Sequence, residues 1–343
     1  MDRERFSRQI RFSPIGEEGQ EQLNRARVAV VGLGALGTAL SHHMVRAGVG
    51  FVRLIDRDFV ERSNLQRQML YDEADAREGL PKAVAAERKL SAIDPTTRLE
   101  TFVTDLTHQN AESLLAGVDL ILDGTDNFSA RYLINDVSVK HSIPWIYGGA
   151  VSARGMTFTV LPGETPCLRC LFPDVPSPGQ AETCDTAGVI GPIVQVVAAY
   201  QATEAMKFLV GDRNSLDRRL RHYELWDNQD HAIQVENRKQ ADCPACGQSS
   251  FEFLTPGNHE DSAVSLCGRD TVQITPARTM DTDLERLEKR LAPLAQVERN
   301  RFLLRAQVDD THRLVVFPDG RILVQGTSDL STARSLAARY VGS

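Results

Sequence analysis

Residues 28 to 37 read Val28-Ala29-Val30-Val31-Gly32-Leu33-Gly34-Ala35-Leu36-Gly37, an apolar run followed at once by glycines spaced as G-x-G-x-x-G. The run predicts a buried strand, and Leu36, Leu40, Met44 and Ala47 recur at helical spacing directly after it. A second apolar run, Phe51 to Ile55, leads into Asp56. Strand, glycine turn, helix and strand in this order form one βαβ unit. Glycine flexibility lets the backbone approach a phosphate there, and the helix N-terminus supplies N–H donors. Asp56, 22 residues beyond Gly34, is placed to accept hydrogen bonds from ribose hydroxyls. Gly32, Gly34, Gly37 and Asp56 are therefore candidate nucleotide-binding residues. Taken alone, this pattern favours a nicotinamide cofactor and an NAD-dependent oxidoreductase.

Working outward, Pro81 opens a helix carrying Ala83, Val84, Leu90 and Ile93 that stops before Asp94-Pro95. Strands are predicted at Leu120 to Leu122 and Trp145 to Tyr147, with a helix from about Ser129 to Lys140 between them. This alternation predicts an α/β, Rossmann-like, doubly wound and mainly parallel sheet. After Gly155 the pattern changes. Met156 to Leu161 reads as a strand, a Pro-rich loop carries Cys167 to Pro178, and Pro192 opens a long apolar helix to about Val210. Tyr223 to Trp226 and Ala232 to Val235 form an antiparallel extension. The turn-rich Thr255-Pro256-Gly257-Asn258 marks a boundary between domains at 1–254 and 255–343. In the second, Leu284, Leu287, Leu291 and Leu294 make one helical stripe. Leu314 to Phe317 and Arg321 to Val324 flank Pro318-Asp319-Gly320 as a hairpin, and a helix from about Asp329 to Tyr340 carries Leu330, Ala333, Ala337 and Tyr340 on one face. That pattern reads as a small α+β domain.

The 343 residues, 42% hydrophobic and 25% charged, have ordinary globular composition and a length suited to two domains. The net charge of −7 lies wholly in the first 254 residues, so no basic surface invites nucleic acid. The uncharged stretch Thr186 to Thr203 is broken by Gly188, Gly191, Pro192, Gln195 and Gln201, which predicts a buried helix and not a membrane span. The sequence begins MDRERFSRQIRF, charged at once and without an apolar signal core, and the expected location is the cytoplasm.

The polar residues after the second strand do not suit a dehydrogenase. Asp56-Arg57-Asp58 leads into Ser63-Asn64-Leu65-Gln66-Arg67-Gln68, and Lys82 follows at a helix start. NAD carries only a pyrophosphate, already served by the glycine turn, whereas a triphosphate needs added positive charge. Asp58, Ser63, Asn64, Gln66, Arg67 and Lys82 thus join the candidate nucleotide site, and the nucleotide becomes ATP. Asp123-Gly124-Thr125-Asp126-Asn127 follows a strand, at the sheet edge where such folds bind ligands. Asp126 either holds Mg²⁺ or caps the helix near Phe128.

Two CxxC pairs, Cys167/Cys170 and Cys243/Cys246, lie 72 residues apart and match a structural, four-thiolate zinc site; a redox pair is the rival reading. Cys184, in Thr183-Cys184-Asp185-Thr186-Ala187-Gly188-Val189, is either a loop nucleophile or packing filler, and Cys267 is expected to be structural.

Together, GLGALG, DRD, SNLQRQ, GLPK, DGTDN, PCLRC, TCDTAG and CPACG, in this order over about residues 1 to 250, resemble the ThiF/MoeB/HesA family, bacterial relatives of ubiquitin-activating enzymes. The tail, with LCGRDTVQI and FPDGRILVQGT, is similar to that of ThiF-type members. The resemblance implies ATP-dependent adenylation of the C-terminal Gly-Gly carboxylate of a ubiquitin-fold sulfur carrier, ThiS-like ahead of MoaD-like, with release of pyrophosphate. It places Gly34 and Asp56 on the nucleotide, Asp56 at the ribose, and Asn64, Arg67 and Lys82 at the phosphates. Asp126 would organise Mg²⁺, and Asn127 would line the site. Arg8 matches an arginine that these homodimers insert into the neighbouring subunit's site. Cys184 aligns with the cysteine that thiazole-type members link to the carrier through an acyl disulfide, a residue on which molybdopterin-type members do not depend. Some members end in a rhodanese domain; the tail here has no obvious reactive-loop cysteine, so a separate sulfur donor is expected. The alternatives are an NAD-dependent oxidoreductase and a non-catalytic scaffold of the same fold.

Overall fold

The computed structural model describes residues 2–174, 184–255, 263–265, 270–276 and 282–342. The chain divides into two units, Met1–Pro176 with Ala187–Pro256, and Ser177–Thr186 with Gly257–Ser343.

Along the chain, α1 (Ser7–Ile10) and α2 (Gly16–Arg25) lead into β1 (Arg27–Val31), and α3 (Ala35–Arg46) carries the chain to β2 (Phe51–Ile55). Next come α4 (Glu73–Glu78), α5 (Lys82–Ile93), β3 (Arg98–Phe102), α6 (Ala111–Leu115), β4 (Leu120–Asp123), α7 (Phe128–His141) and β5 (Trp145–Val151). β6 (Arg154–Val160), α8 (Leu168–Leu171), α9 (Cys184–Ala187), α10 (Gly191–Leu209), β7 (Leu220–Glu224) and β8 (Gln229–Ile233) follow. The eight strands make one sheet in the order β3-β2-β1-β4-β5-β6-β7-β8. Neighbours from β3 to β5 pair parallel, and those from β5 to β8 pair antiparallel.

Burial explains the sequence of the central strands. Val28 to Val31 are all buried in the middle of the sheet, which is why the run is apolar without alternation. From β1 the chain winds outward to β2 and β3, then returns to β4 on the other side of β1. That reversal leaves a crevice beyond the C-terminal ends of β1 and β4, the position where open α/β sheets take ligands. Two turns close its floor: the Gly32 N–H donates to the Ile55 carbonyl and the Gly124 N–H to that of Val31, each at 2.8 Å. A Cβ on Gly37 would lie 1.7 Å from the Gly32 carbonyl oxygen, so α3 can start this close to the strand only with glycine there.

α10 packs on α3 and on β4 to β6, with Ile193, Val194, Val197 and Ala198 buried. Among the described residues, no helix is long and apolar enough to cross a membrane. The late hairpin differs from the expected one. β7 ends at Glu224, three residues after which Asp227 and Asn228 (φ 55°) turn the chain, so Trp226 stands 78% exposed outside the ladder. β3, α1 and α2 lay outside the sequence reading as well, because their patterns are short and polar.

In the second unit, β9 (Ala263–Ser265), β10 (Thr271–Ile274), α11 (Leu284–Leu291), β11 (Gln296–Arg299), β12 (Leu304–Gln307), β13 (Arg313–Val316), β14 (Ile322–Gln325) and α12 (Leu330–Tyr340) follow in turn. The strands form an antiparallel sheet in the order β11-β12-β13-β14-β10-β9. Leu287 and Leu291 of α11 and Ala333 and Ala337 of α12 join Leu304, Leu314 and Val324 in one core. The expected hairpin pairs Val316 with Ile322 across Pro318-Asp319-Gly320, with Gly320 at φ 86°. Leu294, expected on the buried stripe, is instead 64% exposed, since Pro293 follows directly on the end of the helix.

Gly37→Ala is expected to destabilise the first unit by about 3 kcal/mol, the upper end for overpacking, because the clash is with backbone. Urea unfolding measures this, and an unchanged midpoint would contradict the packing described.

Candidate functional site

The crevice is built from four segments. The first is the turn between β1 and α3. α3 starts at Gly34 with no side-chain cap, so the N–H groups of its first turn stay available to an anion. Gly34 differs from Gly37: the nearest atom to a Cβ placed there is Gln68 Nε2 at 3.8 Å. Protein packing does not demand glycine at 34. Its missing side chain leaves a cradle that fits a phosphate.

The second segment follows β2. Asp56 is buried, and its carboxylate accepts from the Leu33 N–H (Oδ2) and the Asp58 N–H (Oδ1), both at 2.6 Å. Burial raises its pKa and Lys82 works in the opposite direction. Asp56 therefore ties the glycine turn to the end of β2, with lone pairs left on each oxygen. The third segment is the start of α5, where Lys82, 3% exposed, places Nζ 3.0 Å from Asp58 Oδ2 while its own N–H donates to the Asp58 carbonyl. A buried ammonium is costly without a partner, and Asp58 supplies one.

Between these lies the Ser63-to-Gln68 stretch. Asn64 is buried and forms a capping box with Glu61, its Oδ1 accepting from the Glu61 N–H. Arg67 donates through Nη1 to the Ser63 carbonyl at 3.1 Å, and Ser63 and Gln66 are exposed. Gln68 was quoted in the sequence but given no role. It is buried beside Gly34, and its Oε1 has no hydrogen-bond partner. An orphaned buried amide facing the cradle is a signal that only the tertiary structure provides.

The fourth segment follows β4. Asp123 is fully buried, accepting from the Thr125 N–H and hydroxyl and, at 3.2 Å, from Arg131 Nε. Arg131 donates further to the carbonyls of Thr125 and Gly148, and so ties this loop to β5. Neither residue was singled out from sequence, because the partners sit eight positions apart on different elements. Of the two readings of Asp126, the cap position belongs to its neighbour. Asn127 caps α7, its Oδ1 accepting from the Ala130 N–H at 2.9 Å, and Asp126 is exposed without a hydrogen-bond partner among the described residues. Its carboxylate is a hard oxygen donor suited to Mg²⁺.

One candidate lies apart from these. Arg8 is exposed on α1, which is anchored by Gln9 Nε2 donating to the Ala47 carbonyl and by Phe6 against Gly48. That is the end of α3 opposite Gly34, ~18 Å away for a helix of this length. Cys184 opens α9, and its side chain lies outside the described residues, as does Cys267.

The four paired cysteines do come together. The sulfurs of Cys167, Cys170, Cys243 and Cys246 lie within 4.8 Å of one another, with separations of 3.9, 3.6 and 3.4 Å for 167–170, 167–243 and 170–246. A tetrahedron with Zn–S bonds of ~2.3 Å has edges of about 3.8 Å. In so tight a cluster the thiols cannot all ionise unaided: hydrogen bonds from Cys167 and Cys246 draw Cys170 down to about 2, while Cys167 is pushed above the usual thiol range. Four thiolates need a cation. Residues after Cys246 dock on α7, where Phe253 stacks on Tyr132 at 4.8 Å and its N–H donates to Asp136 Oδ2. The cluster thus clamps this segment to the sheet unit, and four thiolates around one ion leave no open coordination position.

A model of the ThiF family matches residues 6–245. The chain belongs to the ThiF family. This member is 44% identical over 339 residues to the sulfur carrier protein ThiS adenylyltransferase of Bacillus subtilis, covering 98% of this chain and 99% of that one. It is 38% identical to the SAMP-activating enzyme E1 of Haloferax volcanii, over 77% of this chain and 96% of that protein. Among solved structures, E. coli MccB with MccA-N7isoASN superposes with a TM-score of 0.62 at 22% identity, over 72% of this chain and 75% of MccB, a likeness of fold alone.

Gly34→Ala is expected to cost less stability than Gly37→Ala yet to weaken ATP binding at least tenfold, since the methyl fills the cradle and not the core; calorimetric titration of ATP decides this. Metal analysis of carefully prepared protein should find about one zinc per chain, and Cys243→Ser should lower both zinc content and melting temperature. Full thermal stability after complete zinc removal would sink the clamp.

Proposed function

We propose that this protein adenylates the C-terminal Gly-Gly carboxylate of a small ubiquitin-fold sulfur carrier, ThiS-like ahead of MoaD-like. The observation that carries the reading is the convergence, at one crevice, of the Gly34 cradle, the buried Lys82 and the exposed carboxylate of Asp126. A dinucleotide enzyme needs the first of these and has no use for the other two. The identity to the B. subtilis ThiS adenylyltransferase extends through the tail, which favours the thiazole carrier.

ATP would lie with its phosphates over the first turn of α3, its ribose near Asp56, and the chain of phosphates towards Asn64, Arg67 and Lys82. Asp58, Ser63, Gln66 and Asn127 line the approaches. Mg²⁺ held by Asp126 would supply charge neutralisation at the phosphate oxygens. A carboxylate oxygen of the carrier attacks the α-phosphorus, the bond from that phosphorus to the bridging oxygen breaks, and pyrophosphate leaves with the electron pair. The carboxylate is ionised at neutral pH, so no general base is required. The protein contributes positioning and charge stabilisation. Lys82 gains most in this state, because phosphate oxygens replace or share its Asp58 partner in a buried setting.

Arg8 supports a homodimer as the active unit. Its helix packs at the end of α3 opposite the Gly34 turn, which suits contact with a partner subunit's site. The free paired thiols suit a reducing compartment, and the cytoplasm is the location proposed. Sulfur would come from a separate donor protein.

Pyrophosphate exchange into ATP, measured with a ThiS-type and then a MoaD-type carrier bearing intact Gly-Gly ends, is expected to require the ThiS-type carrier. Lys82→Ala and Asp126→Ala should each lower the rate at least a hundredfold, on the scale of losing one charged contact in a transition state. ATP binding without exchange for either carrier would favour the scaffold reading, and tight NADH binding the oxidoreductase.

A further inference from the structure

Tyr71 belongs to none of the groups placed on the nucleotide above. Its ring is buried, 6% exposed, and its hydroxyl lies 2.8 Å from the Leu33 carbonyl oxygen and 3.1 Å from that of Lys82. Burial, together with the carboxylates of Asp56, Asp75 and Asp58, raises its pKa well above the usual phenol value, so the O–H keeps its proton and remains a donor. The other polar group of Leu33, its N–H, donates to Asp56 Oδ2 at 2.6 Å. Leu33 is therefore gripped at both backbone groups by side chains from two separate segments.

The consequence passes to the next residue. In a trans peptide the carbonyl and the following N–H point in opposite directions, and the chain holds no cis bonds among its described residues. With the Leu33 carbonyl turned toward Tyr71, the Gly34 N–H points away from Tyr71. That N–H has no acceptor in the chain among the described residues, and the space beside Gly34 is open to 3.8 Å. A donor without a partner at a cradle without a side chain is an arrangement made for an anion.

We propose that Tyr71 is a positioning residue: its hydroxyl fixes the Leu33–Gly34 peptide so that the Gly34 N–H donates to a phosphate of the bound nucleotide. The same hydroxyl also reaches the Lys82 carbonyl, at the first turn of α5, so one side chain sets the glycine turn and the lysine-bearing turn in register. The identity of the nucleotide rests on the adenylation reading, but the clamp does not. Tyr71 touches no substrate and acts only through the backbone.

The test is Tyr71→Phe in the full chain, which deletes the hydroxyl and keeps the ring, with Tyr71→Met alongside so that poor folding of one variant does not leave the question open. Affinities for ADP and for adenosine are measured by calorimetry. ADP is expected to bind about tenfold more weakly, the scale of one hydrogen bond to a charged group, with adenosine within twofold of the unaltered protein. In carrier-dependent exchange, KM for ATP rises by a similar factor and kcat stays within twofold, because the contact is present in the ground state and the transition state alike. Unchanged ADP affinity would overturn the clamp. A parallel loss for ADP and adenosine would overturn it too, since it would assign Tyr71 to general packing. If the unaltered protein shows no carrier-dependent exchange, the adenylation reading fails while the comparison of ADP with adenosine still decides the role of Tyr71.

Discussion

Backbone meets backbone where β1 hands the chain to α3, and no side chain can be fitted between. The Gly32 carbonyl oxygen stands 1.7 Å from where a Cβ on Gly37 would be and 2.4 Å from where one on Gly124 would be. Two turns thus share one small volume, and the ends of β1 and β4 are drawn together at the start of α3. The crevice follows from that approach. So does the direction of the helix N–H groups, and with it the sign of the charge the crevice will accept.

Around this contact the protein places buried charges in pairs. Asp123 with Arg131, and Lys82 with Asp58, are close, largely dehydrated couples whose separation would leave an uncompensated charge inside the protein. Burial raises the pKa of Asp123 while Arg131 pulls it back, so the ion pair is held by a balance of opposing terms. Arg57 shows the same balance with a different outcome: burial disfavours its charge, but Asp105 at 2.7 Å and Asp58 together raise its pKa. Asp126 differs in being exposed, although its charge still acts on Arg57 and Arg131.

How far the sequence could be read depended on the range of the forces involved. The βαβ unit was legible because its signals are local: β2 spans Phe51–Ile55 as read, and α5 stops at Ile93, before Asp94-Pro95. The pairing of four cysteines across 72 residues was legible because thiolate chemistry restricts what such pairs do. The shifted β7–β8 hairpin was not, since Trp226 looks like a strand residue until the turn at Asn228 is known. Gln68, Arg131 and Tyr71 were also illegible as working residues. Tyr71 and Arg131 act through partners on other elements, and Gln68 matters only for its place beside Gly34; nothing in their sequence neighbours announces this.

A metal held in the sulfur cluster would tie the persistence of the first unit to something outside the polypeptide. A metal bound only in the folded state adds its binding free energy to the stability of the fold. With zinc in the cluster, each tenfold fall in free zinc subtracts about 1.4 kcal/mol from that stability for as long as the site is saturated. Marginal proteins have little to spare on that scale. With zinc bound there, the amount of folded protein in a cell would follow its zinc supply, through four thiolates that leave the ion no open position for catalysis.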